Sequence, residues 1–158
     1  MAEVLAETIA TIKDGYTGQI LQAEPINDSE VLLVVPADEV VEACTYIIEQ
    51  GWWHLSTITG KDTGEEIQCL YHFYGESSDI GVTVRTGVDR DEPVMPSVTP
   101  DVPAATMYER EIMDLFGVVF EGHPNPERLV LADDWPEDNH PLRLEEVQKR
   151  AEEEKIDG

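Results

Sequence analysis

Three stretches of alternating side chains, WHLSTITG, EIQCLYHFYG and IGVTVRTGV, follow one another between Trp53 and Val88 and leave this chain few folds to choose from. Successive residues of a strand point to opposite faces, so Ile67, Cys69, Tyr71 and Phe73 share one face, as do Ile80, Val82 and Val84 on the next strand. The turn Asp62-Thr63-Gly64 and the polar link GESSD are short enough to make neighbours pair as an antiparallel meander. Its apolar face needs cover, and two helical patterns upstream supply it. In PADEVVEACTYIIEQG, Pro36 opens the pattern, acids fill the first turn, and Val40, Val41, Cys44, Ile47 and Ile48 form one stripe that Gly51 ends. Leu5, Ile9 and Ile12 recur at helical spacing and stop at Gly15. Between these helices, YTGQILQA and EVLLVV read as strands separated by a polar turn at Asn27, Asp28 and Ser29. The expected class is α+β in two layers, helices packed on one face of a mixed or antiparallel sheet, with the core domain over residues 1–88.

The character changes after that. DRDEPVMPSVTPDVP, Asp89 to Pro103, carries four prolines, none of which can donate to a sheet, so an extended arm is expected there. The arm continues through residue 143 and includes one short helix. Residues 144–158 form an acidic tail in which Lys149 and Arg150 pair with acids at helical spacing, giving a solvated helix or a frayed end.

Asp plus Glu number 34 against 10 Lys plus Arg, a formal net charge of -24. Such a surface repels phosphate backbones and anionic membranes, so nucleic acid is not expected as a partner; the acids fit either a basic protein surface or plain solubility and adaptation to a salty or crowded cytoplasm. No apolar run approaches the ~20 residues that span a bilayer, and the acidic N-terminus lacks the basic head of a signal peptide, so a cytoplasmic protein without membrane insertion is expected. Two cysteines, Cys44 and Cys69, make neither a disulfide framework nor a cluster site, which takes about four thiolates. His54, His72, His123 and His140 lie at no metal-ligand spacing, no phosphate-binding glycine loop occurs, and no nucleophile is paired with a base.

The segment YEREIMDLFGVVFEGHP, Tyr108 to Pro124, places charges in the first turn of an apolar-faced helix. At about 100° per residue the apolar arc runs from Leu115 through Tyr108 to Met113, with Ile112 and Phe116 inside it. Glu109 falls in that arc as well. An unpaired carboxylate there costs several kcal/mol, on the order of ten times what helix pairing returns, so Glu109 is expected to face a positive group, Arg128 or Arg143 of this chain or an arginine of another subunit. Arg110 and Asp114 lie opposite at i,i+4 and read as a pair on a solvated face. Glu111 sits at the edge of the arc. Gly117 is the stop residue, Phe120 anchors the strip that follows, Gly122 turns the chain, and His123 before Pro124 reads as a satisfied structural histidine. Trp135 reads as a hydrophobic anchor in the polar loop DDWPED.

At these residues the chain resembles the thirty-kilodalton subunit family of respiratory complex I, shared with energy-converting membrane-bound [NiFe] hydrogenases. The family's pattern is filled without mismatch by Glu109, Arg110, Glu111, Asp114, Leu115, Phe116, Gly117, Phe120, Gly122 and His123. PSVTPDVPAATMYERE resembles its proline-rich arm and ERLVLADDWPEDNHPLR the segment after it. Beyond Arg143, Leu144-Glu145-Glu146 departs from the family's usual continuation, which favours a hydrogenase-type or archaeal-type complex.

The resemblance implies a non-catalytic peripheral-arm subunit of a membrane-bound oxidoreductase, with no active site and no cofactor of its own. Its implied partners are a large [NiFe]-hydrogenase-like subunit and a small iron-sulfur subunit, which would carry the Fe-S clusters and NiFe. On that reading the signature helix lies at a subunit seam. The residues expected there are Met107, Tyr108, Glu109, Arg110, Glu111, Asp114, Phe116, Gly117, Phe120, Gly122, His123, Arg128, Trp135 and Arg143. An apolar patch from Met107 to Phe120 should then be exposed, and Glu109→Ala should weaken assembly while sparing the fold. The rival readings are a free-standing acidic module that regulates a basic partner and an enzyme using Glu109 with a second carboxylate.

Overall fold

The computed structural model describes residues 1–76 and 78–157. The three alternating stretches form β3 (His54–Asp62), β4 (Glu66–Gly75) and β5 (Ser78–Asp89), paired antiparallel as the turns between them dictate. β1 (Gln22–Asn27) and β2 (Glu30–Val34) complete a five-stranded sheet of order β1-β2-β5-β4-β3, in which β2 runs parallel to β5. The sheet is therefore mixed, and the crossover from β2 to the meander carries α2 (Val40–Glu49), entered through a 3-10 turn at Ala37–Glu39. β1 starts later than the apolar run suggests. Tyr16 is drawn into the core and donates its hydroxyl to Glu39 Oε2 at 2.8 Å, and of the residues between it and Gln22, Leu21 donates its N–H to Val34 O at 2.8 Å. Pro25 sits on this outermost strand, where a missing N–H costs no ladder bond.

α1 (Ala2–Gly15) buries Leu5 and Ile12, and α2 buries Val40, Ala43, Cys44 and Ile47, against Val31, Leu33, Ile67, Tyr71, Phe73, Val82 and Val84 of the sheet. The architecture is α+β with all of this apolar packing in one cluster. On the other face, polar groups of adjacent strands bond to one another: His72 Nδ1 lies 2.8 Å from Thr83 Oγ1 and its Nε2 3.0 Å from Thr59 Oγ1.

The proline-rich segment does not stand away from the domain. Val94–Pro96 forms β6, a short parallel partner of β7 (Val119–Glu121), and Met95, Val98 and Val102 are buried in the main core. Pro93 and Pro96 fall at the ends of the paired stretch and Pro103 opens the turn before the next helix, so an arm expected to be extended folds back onto its own chain. Between β6 and β7 lies α3 (Thr106–Phe116), preceded by a 3-10 turn at Pro103–Ala105. Its Ile112 and Phe116 join the core, and Phe116 packs so closely on β3 that a Cβ at Gly60 would lie 2.5 Å from its ring.

The acidic end is the helix α4 (Leu144–Asp157), whose start is tied to the sheet. Asp62, at the end of β3, accepts the N–H of Leu144 at 2.9 Å, the N–H of Gly64 at 2.9 Å and two bonds from the Arg90 guanidinium at 2.8 Å each. Arg90 also bonds Glu145. This guanidinium and the two backbone donors hold the Asp62 carboxyl well below the usual carboxylate range.

Candidate functional site

Glu109 is 0% exposed, inside the molecule as the helical wheel places it. Its neighbours are not arginines. Oε2 accepts the hydroxyls of Ser97 at 2.5 Å and Thr99 at 2.7 Å, and Oε1 accepts the N–H of Val98 at 2.8 Å. The chain turns just after β6, with Thr99 N–H donating to Ser97 Oγ at 3.2 Å and Val102 N–H to Val98 O at 2.8 Å, and this turn is the local reason the two hydroxyls and the Val98 N–H converge on one acceptor. His123 Nε2 lies 3.8 Å from the carboxylate and 3.2 Å from Thr106 O, while His123 Nδ1 accepts the N–H of Asn125 at 3.0 Å. Nδ1 is thus the acceptor, and Nε2 is the nitrogen turned to Thr106 O and the carboxylate. Oriented donors take the place of the expected cation. Arg128 instead donates Nη1 to the carbonyls of Ala132 and Trp135, and Arg143 serves elsewhere.

The i,i+4 pair is also not what its spacing suggests. Arg110 and Asp114 are buried, and they do not bond to each other. Arg110 donates Nε to Glu127 O at 2.8 Å and Nη2 to Arg128 O at 2.9 Å. Asp114 Oδ2 accepts the N–H groups of Leu129, Val130 and Leu131 at 3.0, 2.7 and 3.1 Å. Burial pushes the Asp114 carboxyl up, but the three N–H donors outweigh it and the net shift is downward. The face expected to meet water instead holds the irregular strip 127–131, whose backbone has no strand partner to satisfy it.

The C-terminus of α3 is closed by a third segment. Its last carbonyls, from Met113 to Phe116, accept in turn Gly117 N at 3.0 Å, His140 Nδ1 at 3.0 Å, Leu142 N at 3.0 Å and Arg143 Nε at 2.6 Å. These are the groups a helix end leaves without partners. Gly117 adopts φ +75°, and a Cβ there would also lie 2.5 Å from the His140 ring, so both conformation and space demand glycine. Gly122 has φ +83° in open surroundings, so conformation alone selects it.

Of the remaining predicted residues, Tyr108 donates its hydroxyl to Ser56 O at 2.7 Å, and Phe116 and Phe120 are buried. Glu111 is exposed and Met107 is 54% exposed. Trp135 is half-buried and donates Nε1 to Asn139 O at 2.8 Å. The expected apolar patch is thus reduced to Met107 and Val119 within its span, because Ile112, Phe116 and Phe120 are spent on the core. Sequence reasoning missed Ser97, Thr99, His140 and the Asp62–Arg90 latch. The Ser-x-Thr alternation next to a buried acid was the readable signal for the first two; the others carry no local one.

Little of this is suited to catalysis. A carboxylate enclosed by three donors has no route to a substrate without unfolding its cradle, which removes the footing of the acid–base reading. Burial pushes the Cys69 thiol up to about 12 and the Cys44 thiol well above its ordinary value, with the nearby Glu109 charge adding to both, so neither is a ready nucleophile. Among the described residues no cluster of His, Cys, Asp and Glu is placed to hold a metal ion, and no helix is long and apolar enough to cross a membrane.

Residues 33–152 match the family described as the respiratory-chain NADH dehydrogenase thirty-kilodalton subunit. A subunit of the NADH-quinone oxidoreductase of Moorella thermoacetica is 39% identical over 114 residues, covering 70% of this chain and 76% of that protein. Hydrogenase-4 component G of Escherichia coli K12 is 36% identical over 149 residues, covering 90% of this chain but only 26% of its own length, so the chain spans about a quarter of that relative. Among solved structures, a chain of the membrane-bound sulfane sulfur reductase, an archaeal respiratory membrane complex, superposes with a TM-score of 0.76 at 28% identity, covering 93% of this chain and 91% of that one. The signature helix with its gripped segments, the mixed sheet and these likenesses agree, and the chain belongs to the thirty-kilodalton subunit family of the respiratory-chain NADH dehydrogenase.

Proposed function

We propose that this chain is a docking subunit of a membrane-bound multisubunit oxidoreductase, either an energy-converting [NiFe] hydrogenase or a complex I-like enzyme. It holds no redox cofactor. It packs against a large [NiFe]-hydrogenase-like subunit and a small iron-sulfur subunit, positions the large one for electron transfer, and reaches the membrane only through that assembly. The observation that carries this reading is the use made of the signature's charges: Glu109, Arg110 and Asp114 are all spent on the chain's own backbone and hydroxyls. None is left for chemistry, and together they stiffen two irregular segments, 97–99 and 127–131, into one preordered surface, which lowers the entropic cost of docking. The longer Escherichia coli relative supports the same view, since there the homologous region is covalently joined to further chain and any contact between them gains from a high effective concentration.

The test is to express the tagged chain with its neighbouring subunits, solubilise the membranes and purify through the tag. A hydrogenase-like large subunit and an iron-sulfur subunit are expected in the eluate, while the chain purified alone is expected to be colourless and free of stoichiometric nickel, iron and flavin. A chain that elutes from membranes by itself as a stable monomer would favour the free acidic module instead. Stoichiometric metal in the isolated chain would overturn the docking reading outright.

A further inference from the structure

Leu129 is 40% and Val130 53% exposed, yet the backbone beneath them is among the most firmly held irregular chain in the molecule. Their N–H groups end on Asp114 Oδ2, and the carbonyls of Glu127 and Arg128 end on the Arg110 guanidinium. Nη1 of the same guanidinium touches Met107 Sδ at 3.8 Å, which sets the exposed Met107 beside the strip. The buried charges of α3 thus draw the strip's polar backbone inward and leave its aliphatic side chains in water. Leu129 and Val130 are thereby displayed on a rigid support.

We infer that Met107, Leu129 and Val130 form the apolar centre of the surface that meets the neighbouring subunit, and that the occupant is a protein face of apolar residues rimmed by Lys and Arg. This rests on the docking reading above and adds where the contact lies and what chemistry it takes. The charge around the patch selects the occupant. Glu111, one helical turn on from Met107, and Glu127, Asp133 and Asp134, within four residues of Leu129 or Val130 along the chain, are exposed, while the strip's cation, Arg128, is turned back onto Ala132 O and Trp135 O. A second copy of this chain would bring a net charge of -24 against the same acids, and an anionic lipid surface would be repelled in the same way. A basic-rimmed apolar face gains both desolvation at the centre and charge complementarity at the edge.

The experiment replaces Val130 with a photoreactive benzoylphenylalanine in the tagged chain, assembles the whole complex, irradiates it and sequences the cross-linked peptides. A control carries the same group at Glu24 on the outermost strand. The expected result is a cross-link from position 130 to a peptide of another subunit containing apolar residues next to Lys or Arg. Where the complex assembles but position 130 labels nothing, a second copy of the chain or lipid, this surface is wrong while the docking reading stands. Where the unsubstituted chain recovers no other subunit, the docking reading fails and this inference falls with it. As an independent measure, Leu129→Asp with Val130→Asp is expected to lower recovery of the complex at least about tenfold, with the thermal midpoint of the isolated chain unchanged. Full recovery of the complex by that folded variant overturns the inference, and should the variant not fold, the cross-link decides.

Discussion

Glu109 shows what a charged residue in an apolar arc is for when no cation meets it. Three donors from Ser97, Val98 and Thr99 converge on it, so removing the carboxylate strands all of them in the core. Glu109→Ala is therefore expected to destabilise the isolated chain by about 3 kcal/mol or more, read as a lower urea midpoint, because each buried unsatisfied donor costs roughly 1–3 kcal/mol. This reverses the expectation that the variant spares the fold, and an unchanged midpoint would restore it. Asp114 and Asp62 carry a pH prediction. Both carboxyls lie below their ordinary value of 3.8 when folded, so their stabilisation is complete above that value and is lost as pH falls through the lower folded one. Urea midpoints of the wild-type chain should fall between about pH 4 and pH 2, and Asp114→Asn should remove part of that fall. Identical acid profiles would mean that the bonds to residues 129–131 add nothing.

At the scale of elements, α3 is a short helix made dependable by what holds its ends and sides. Its last turn is closed by Gly117, His140, Leu142 and Arg143, so a defect there should be felt along the whole C-terminal strip. Gly117→Ala combines a left-handed backbone with a collision against His140 and is expected to cost about 2 kcal/mol or more, seen as a lower thermal midpoint. Gly122→Ala meets only the conformational penalty, because nothing lies near its missing Cβ, and should cost less. Equal losses at the two positions would show that the His140 contact is slack. Legibility differed in the same way between elements. The meander, α1 and α2 were readable because period two and period 3.6 are local properties and one buried face imposes them over many residues. The fold-back of the proline-rich segment was not, since a proline says where a ladder bond is absent and nothing about the surface on which the chain lies down. The wheel placed Glu109 inward correctly, but it assigned Arg110 and Asp114 to water because it contains no information about a strip that lies further along the chain, beyond β7.

For the whole molecule, the excess of acids is the dominant global term. Self-repulsion at a net charge of -24 opposes the compact state, and raising ionic strength shortens the Debye length from about 10 Å at 0.1 M to about 3 Å at 1 M. Scanning calorimetry in potassium chloride is therefore expected to show the midpoint rising by on the order of 5 °C over that range, since ~1 kcal/mol shifts a domain of this size by a few degrees. A midpoint that is flat or falls with salt would mean that the acids are locally compensated, as Asp62 is by Arg90. The same charge bears on assembly, because it favours a basic-rimmed partner and discourages self-association.

By itself the sequence determined the layers: alternation and helical spacing specify which faces are apolar, and burying them gives helices on one face of a sheet, while the parallel placing of β2 beside β5 was left to the tertiary structure. The signature residues were equally plain as a pattern. Only the tertiary structure decided what their charges touch, because each of those bonds joins α3 to backbone in segments with no periodicity of their own, and a carboxylate or guanidinium takes whichever donors or acceptors the folded chain brings within about 3 Å.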